Sequence, residues 1–196
     1  MTAAVITAPL LGTASSRTNR IARSTVLIAG FALLTAAFAQ IEIPLWFTPV
    51  PITGQTLAVL LAGAALGSKL GAASQTLYVG LGALGLPFYS GGDGGWEAAT
   101  GVTAGYLAGF IAAAAVVGLL AEQRRDRRVA TSIPAFLAGS AVIYFFGVSW
   151  LTVSLDVSVT HALELGMVPF VIGDLVKVAL AGLVLPAAWR FVSKRV

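Results

Sequence analysis

The sequence predicts an all-α integral membrane protein in which six transmembrane helices place both termini in the cytoplasm. Of its 196 residues, 58% are apolar and only 10% are charged, whereas an ordinary soluble domain carries about 25% charged residues. Six helices of about 20 residues each need about 120 residues to cross a bilayer, and the apolar share nearly supplies them. The absence of cysteine excludes a disulfide scaffold. Lys and Arg outnumber Asp and Glu, but so apolar a chain offers no soluble face on which the excess positive charge could bind nucleic acid. This excludes a nucleic-acid-binding domain.

Six apolar runs follow a mixed, polar N-terminal segment. We predict that residues 1–24 form a disordered cytoplasmic tail and that residues 25–196 form a single six-helix membrane domain. The second run is short for about 30 Å of hydrocarbon, and glycines interrupt the third. The six runs cover residues 25–41, 56–67, 70–86, 102–121, 133–152 and 168–191.

The positions of the basic residues predict the orientation of these spans, because Lys and Arg accumulate on the cytoplasmic side of a membrane. With six spans and a cytoplasmic N-terminus, eleven of the twelve Lys and Arg residues fall on cytoplasmic segments. The twelfth, Lys177, lies inside the sixth run. Five or seven spans would put one terminus on the wrong side. We interpret the arginine-rich segment 124–128 as a topology anchor rather than as a specific site for anionic lipids.

Two ionisable side chains, Asp174 and Lys177, lie within the sixth apolar run. A spacing of three residues puts both on one helix face, and charges at bilayer depth normally face the bundle interior or a wet cavity. At a rise of 1.5 Å per residue, Asp174 lies about 9 Å from Val168 at the outer end of the helix. A substrate pocket near the extracellular face would therefore reach both. Two interpretations stay open: a structural ion pair, or a donor and an acceptor for a polar small molecule.

Two predicted outer loops have the composition of a cover for such a pocket. Residues 43–55, which include Trp46 and Gln55, combine aromatic side chains with three prolines that stiffen an extended path. Residues 84–96, which include Phe88 and Tyr89, are rich in glycine and allow a close backbone approach to a ligand. The aromatic residues fit an interfacial belt equally well, and Gln55 fits a role at a helix end equally well.

The sequence gives no sign of a bound cofactor, a metal site or a catalytic centre. The closest approach to a phosphate-binding loop, at residues 63–69, misplaces Lys69, so any dependence on ATP must come from a partner. His161 has a metal-type neighbour at i+3 or i+4 only in Glu164, so we expect plain surface exposure rather than a zinc site there. An intramembrane enzyme using Asp174 as an acid or base would need a further catalytic group. A purely structural bundle would need no buried charges.

Four ordered segments resemble a known family, the biotin-specific S components, called BioY, of energy-coupling factor (ECF) transporters. The segments are residues 49–63, 82–92, 101–110 and 169–177, and the resemblance covers nearly the whole chain after residue 24. The chain departs from the family at Gly54, where a larger residue is usual. It also departs at Val102 and Ala104, which stand where the family has proline and glycine.

The resemblance implies a multi-pass subunit of the cell membrane, not an enzyme, that captures biotin from outside. It would dock on an ECF transmembrane coupling protein driven by two cytoplasmic ATPase subunits. An S component for another small vitamin stays open as an alternative, because the logic of carboxylate binding would be the same. Ala32 and Ala36 of the first run form a small-x-x-x-small face, and the resemblance implies that they pack on the coupling protein. It implies substrate binding by Asp174, Lys177, Gln55, Tyr89, Tyr106, Phe88 and Trp46.

Overall fold

The computed structural model describes residues 17–193, with side chains described as far as Ala187. These residues form eight α-helices and a short antiparallel hairpin, in which β1 (Glu42–Ile43) pairs with β2 (Ile52–Thr53). A 3₁₀ turn, Ser90–Gly92, lies between α3 and α4. The helices are α1 (Arg17–Ala39), α2 (Gln55–Leu66), α3 (Ser68–Ala83), α4 (Trp96–Thr100), α5 (Ala104–Glu122), α6 (Val129–Ser154), α7 (Val159–Gly166) and α8 (Val171–Ser193).

The helical fold class predicted from the sequence is confirmed. Each of the six predicted apolar runs coincides with one helix, namely α1, α2, α3, α5, α6 and α8. Among the described residues, α1, α5 and α6 are long and apolar enough to cross a membrane. The pair formed by α7 and residues Val171–Ala187 of α8 meets the same criteria together, although it is bent by 56°. Helix α2 is a shorter apolar helix.

The first described helix, α1, includes residues from Arg17 onward and so covers the eight residues before the predicted apolar run. Residues 1–16 of the predicted tail lie outside the described part of the chain. Residues 17–24 are helical rather than disordered, which corrects that part of the prediction. Once a helix is nucleated in an apolar segment, each further residue adds a backbone hydrogen bond, and arginine has a favourable helix propensity. The basic segment therefore continues the helix.

Helix α5 lies at the centre of the bundle, where it packs against α2, α3 and α6. Glycines permit the closest approaches. A Cβ atom added at Gly63 would collide with the backbone of Ala114 in α5, and one added at Gly118 would collide with the backbone at Ser68. Gly67 has φ 83° and separates α2 from α3, a conformation that glycine adopts without strain. The end of the bundle at Gly67 is therefore packed backbone against backbone.

The alanine face of α1 packs inside this chain. Ala32 and Ala36 are 1% and 7% exposed, because α1 packs against α2 and α3. Small residues serve here to bring neighbouring helices of the same chain together. The expected packing of Ala32 and Ala36 on a coupling protein stays a prediction.

Candidate functional site

A cavity of about 480 Å³ lies among the hairpin, the loops on either side of the 3₁₀ turn, and helices α2, α5, α6 and α8. Small-molecule sites in proteins usually have volumes of about 300–1,000 Å³. Apolar side chains, including Leu107, Phe110 and Phe170, form part of the wall. The polar side chains that line the cavity are Glu42, Thr48, Thr53, Gln55, Thr56, Tyr89, Ser90, Asp93, Thr103, Tyr106, Tyr144, Asp174 and Lys177.

Asp174 and Lys177 form an ion pair in the wall of this cavity. The Lys177 Nζ atom lies 2.6 Å from Asp174 Oδ1, and the two side chains are 17% and 9% exposed. A buried carboxylate needs both a counter-charge and hydrogen-bond donors to offset its lost hydration. Asp174 also lies in the first turn of α8, where the helix dipole favours a negative charge. The pair predicted from the sequence is therefore present and reaches the cavity.

Two hydroxyl groups that sequence reasoning missed complete this pair. Thr56 Oγ1 donates to Asp174 Oδ1 and accepts from Lys177 Nζ, both over 3.0 Å. The Tyr144 hydroxyl donates to Asp174 Oδ2 over 2.5 Å. Thr56 and Tyr144 lie in the predicted runs 56–67 and 133–152, and the second run also contains Ser140 and Ser149, so a hydroxyl within a run did not distinguish them.

Gln55, the first residue of α2, is also brought to the cavity. Its side chain is buried, and Nε2 donates to the hydroxyl of Tyr78 over 2.5 Å. Oε1 accepts from Thr53 Oγ1 over 2.8 Å, and the same hydroxyl accepts from the Gln55 backbone N–H over 3.3 Å. Thr53, rather than the side chain of Gln55, thus satisfies the helix end. The Gln55 amide is fixed at both of its polar atoms.

Tyr89 and Tyr106 contribute aromatic surface to the cavity. Their hydroxyls donate to backbone carbonyls, Tyr89 to Val79 over 2.7 Å and Tyr106 to Gly166 over 2.6 Å. Burial raises the pKa of the Tyr89 phenol above its ordinary value, so this side chain stays neutral at physiological pH. Both tyrosines therefore carry their polar tips away from solvent while their rings remain part of the wall.

Phe88 and Trp46 are not among the residues that line the cavity, and their expected role in binding stays a prediction. Phe88 stacks on Tyr78, with ring centroids 6.4 Å apart and an interplanar angle of 12°. Trp46 is 96% exposed and meets Phe47 edge to face. Thr48 of the same loop is buried and donates to the carbonyl of Leu165 over 2.8 Å. The loop therefore turns Thr48 inward and leaves Trp46 outside, as expected for an interfacial aromatic residue.

The structure gives a physical reason for Gly54, where the family usually has a larger residue. A Cβ atom added at Gly54 would lie 2.8 Å from the backbone oxygen of Phe38. The Gly54 N–H also donates to that oxygen over 3.1 Å. Glycine therefore lets the hairpin approach the end of α1 closely. Val102, at the second departure, lines the cavity beside Thr103.

Acidic side chains outnumber basic ones among the described residues that line the cavity. Among the described lining residues, Lys177 is the single cation, whereas Glu42, Asp93 and Asp174 are acids. Glu42 accepts a short hydrogen bond from Ser90 Oγ, which ties the hairpin to the 3₁₀ turn. Gln40 Nε2 donates to the backbone oxygen of Tyr89 over 3.1 Å and adds a second tie. The predicted cover loop 84–96 is thus tied to β1 and to the residue that follows α1, beside the cavity.

Comparison with known proteins places these features in a family. The model of the BioY family matches residues 7–194. The biotin transporter BioY of Rhodobacter capsulatus is 42% identical over 174 residues, which cover 83% of this chain and 90% of that protein. The biotin transporter BioY of Thermotoga maritima is 40% identical over 154 residues, which cover 79% of this chain and 88% of that protein.

A solved structure, the S-component for biotin from an ECF-type ABC transporter, has the same fold, with a TM-score of 0.81 at 24% identity. The match covers 90% of this chain and 95% of the solved one. The family model extends over nearly the whole sequence, and the relatives exceed 30% identity over more than two thirds of both partners. The chain belongs to the BioY family.

Proposed function

We propose that this chain is the substrate-binding S component for biotin in an ECF transporter of the cell membrane. The observation that carries the proposal is the cavity whose wall holds the buried Asp174 and Lys177 pair in a chain of the BioY family. Relatives named as biotin transporters support biotin as the substrate over another small vitamin. They also support transport over catalysis, because none of these relatives is named as an enzyme.

The hydrogen-bonding capacity of the pair suits a ligand such as biotin. Lys177 has three N–H groups, and two of them have acceptors in Thr56 and Asp174. Asp174 accepts three bonds among the described residues, whereas a carboxylate has about four acceptor positions. The unit therefore offers one further donor and one further acceptor. The ureido ring of biotin carries both N–H and C=O groups, and its valerate tail ends in a carboxylate.

We further propose six spans, cytoplasmic termini and a cavity near the extracellular face. Ser68 at the start of α3 donates to Glu122 at the end of α5 through its N–H and its hydroxyl, both over 2.8 Å. This contact supports placing Lys69 and the arginines of residues 124–128 at one end of the bundle. The hairpin, the 3₁₀ turn and α7 belong to the opposite end. Basic residues accumulate on the cytoplasmic side, so the cavity would open outward.

The proposed partners are an ECF transmembrane coupling protein and two cytoplasmic ATPase subunits. We propose Asp174, Lys177, Gln55, Tyr89 and Tyr106 as the residues that meet biotin, because all five line the cavity. Phe88 and Trp46 are left out of this set. No surface for the coupling protein is proposed, because Ala32 and Ala36 are buried within the chain.

Equilibrium binding of biotin to the purified, detergent-solubilised chain tests the proposal, with a panel of unlabelled vitamins as competitors. Tight binding that only biotin competes away is the expected result. Displacement by another vitamin at a lower concentration than biotin would support the alternative S component. Absence of binding in a sample with a cooperative thermal unfolding transition would exclude biotin as the substrate of the isolated chain.

A further inference from the structure

Three helices meet at the Asp174 and Lys177 pair, and two hydroxyls hold them together. Thr56 belongs to α2 and Tyr144 to α6, while the ion pair belongs to α8. Thr56 is the sole described side chain that bonds to both members of the pair. Tyr144 holds the carboxylate oxygen that Thr56 and Lys177 do not touch. The orientation of both charged groups therefore depends on side chains from other helices.

Tyr144 and Asp174 also form the wall between two cavities. A second cavity of about 550 Å³ lies between α6, α7 and α8, and most of its lining is apolar. Among the described residues, Tyr144 and Asp174 are the two that line both cavities. Phe145 and Leu175, which line the second cavity, are exposed on the outside of the bundle. The hydrogen bond from Tyr144 to Asp174 thus closes the central cavity on this side.

We infer that Thr56 and Tyr144 are positioning residues for biotin binding. Their hydroxyls hold Asp174 and Lys177 in the orientation that the ligand meets, and the Tyr144 ring keeps the ligand out of the second cavity. This inference rests on the proposed function, since it names the residues that prepare the same site.

The physical basis of the inference is preorganisation. With Thr56 in place, two acceptors fix the Lys177 ammonium group, and its remaining N–H is available to the ligand. Without Thr56, the ammonium group is free to turn about Asp174, and Asp174 Oδ1 loses a donor. The ligand would then have to order the Asp174 and Lys177 side chains as it binds. Side chains that are ordered before binding give tighter binding, because their conformational entropy has already been lost.

Four variants test the inference through the dissociation constant for biotin, with the melting temperature of the unliganded protein measured beside it. We expect Thr56→Val and Tyr144→Phe each to weaken binding about tenfold, the effect of losing one hydrogen bond to a charged group. Thr56→Ser restores the hydroxyl and is expected to bind like the unmodified chain. Thr152→Val is the matched control, because the Thr152 hydroxyl donates within α6, to the carbonyl of Val148.

The combination Thr56→Val with Tyr144→Phe tests whether the two hydroxyls act on binding through the same carboxylate. Both hydroxyls act on the same carboxylate, so their effects on binding are expected to be non-additive. Tyr144→Leu tests the wall, because it removes the ring as well as the hydroxyl. We expect it to weaken binding more than Tyr144→Phe does. Equal binding by these two variants would overturn the role of the ring.

The outcomes distinguish this inference from the proposed function. If the unmodified chain fails to bind biotin, the proposed function fails. If it binds biotin and Thr56→Val binds equally well, positioning by Thr56 is overturned while the function stands. Equal weakening by Thr56→Ser and Thr56→Val overturns it too, because the hydroxyl would then be irrelevant. Should Thr56→Val not yield folded protein, Tyr144→Phe carries the test, since it keeps the ring.

Discussion

Two buried polar clusters lie between the helices of this chain, and they are built differently. The cavity cluster, formed by Thr56, Tyr144, Asp174 and Lys177, is charged, and each charged group has several partners. The seam cluster, formed by Thr35, Ser74 and Gln75 between α1 and α3, is neutral, and all three residues are 0% exposed.

The seam cluster is only partly satisfied. Gln75 Nε2 donates to Thr35 Oγ1 over 3.2 Å, but Ser74 Oγ and Gln75 Oε1 have no hydrogen-bond partner in the described structure. A buried neutral polar atom without a partner costs about 1–3 kcal/mol, and an unpaired buried charge costs more. The charged cluster is therefore completed by residues from three helices, whereas the neutral one tolerates a missing hydrogen bond. A ligand site with charged groups beside a cavity requires that those groups have their hydrogen bonds made by the protein.

Removal of the Lys177 charge is expected to produce the largest effect. Lys177→Ala takes away a ligand donor and leaves Asp174 without its counter-ion, and breaking a buried ion pair costs about 3–5 kcal/mol. We expect at least about a 100-fold loss of biotin affinity and loss of uptake, with membrane insertion retained. Isothermal titration and the amount of protein in the membrane fraction measure the two quantities.

Two further variants make the result at Lys177 decisive. Lys69→Ala is the control, since Lys69 is an exposed cation at the opposite end of the bundle. The double change Asp174→Asn with Lys177→Met leaves no charge at this pair, so a loss of binding in this variant cannot come from an unpaired Asp174 carboxylate. Unchanged affinity in Lys177→Ala would remove this residue from the site.

Gln55→Leu is expected to have an intermediate effect. It removes the side-chain partners that Gln55 gives to the buried Tyr78 hydroxyl and to Thr53 Oγ1. We expect affinity to fall about tenfold and the melting temperature to fall as well, because a buried donor or acceptor loses its bond. Thr76→Val on the exposed side of α3 is the control, since its hydroxyl bonds only to Ala72 in its own helix. An affinity like that of the control would limit Gln55 to a structural role.

Ser74→Ala is expected to have the smallest effect and the opposite sign. The change removes a buried hydroxyl that has no partner in the described structure, so the free energy of unfolding should rise by about 1 kcal/mol. Biotin affinity should not change. Ser132→Ala is the matched control, because the Ser132 hydroxyl is equally buried but donates to the carbonyl of Arg128 over 2.8 Å. A lower melting temperature in Ser74→Ala than in Ser132→Ala would contradict the contrast between the two clusters.

Sequence reasoning found the helices and the ionic centre of the site, because both leave local signals. Apolar runs locate the helices, and a charge inside such a run is costly enough to be noticed, as at Asp174 and Lys177. Thr56 and Tyr144 leave no such signal, since a hydroxyl costs little free energy in an apolar run. Its partners from other helices cannot be identified from the local sequence.

Side-chain direction in the loops and the choice of helix face could not be read from sequence. Trp46 and Thr48 belong to one proline-rich loop, yet the structure exposes the first and buries the second. Their directions follow from the bond of Thr48 to Leu165, which is 117 residues away. Likewise, the small residues Ala32 and Ala36 predicted close helix packing correctly, but spacing alone does not tell whether the neighbouring helix belongs to the same chain.

The short helix α2 has an electrical consequence. Gly67 follows Thr56 by eleven positions, so at 1.5 Å per residue Thr56 lies about 16 Å from the corner at Gly67, which the proposed orientation puts on the cytoplasmic side. This is about half of the roughly 30 Å hydrocarbon thickness. In the proposed orientation, an anionic group that reached Lys177 would cross about half of the transmembrane voltage. Moving one charge across the whole membrane changes its energy by about 2.3 kcal/mol at 100 mV. A membrane potential that is negative inside would therefore oppose binding of the anionic group at Lys177 by about 1 kcal/mol.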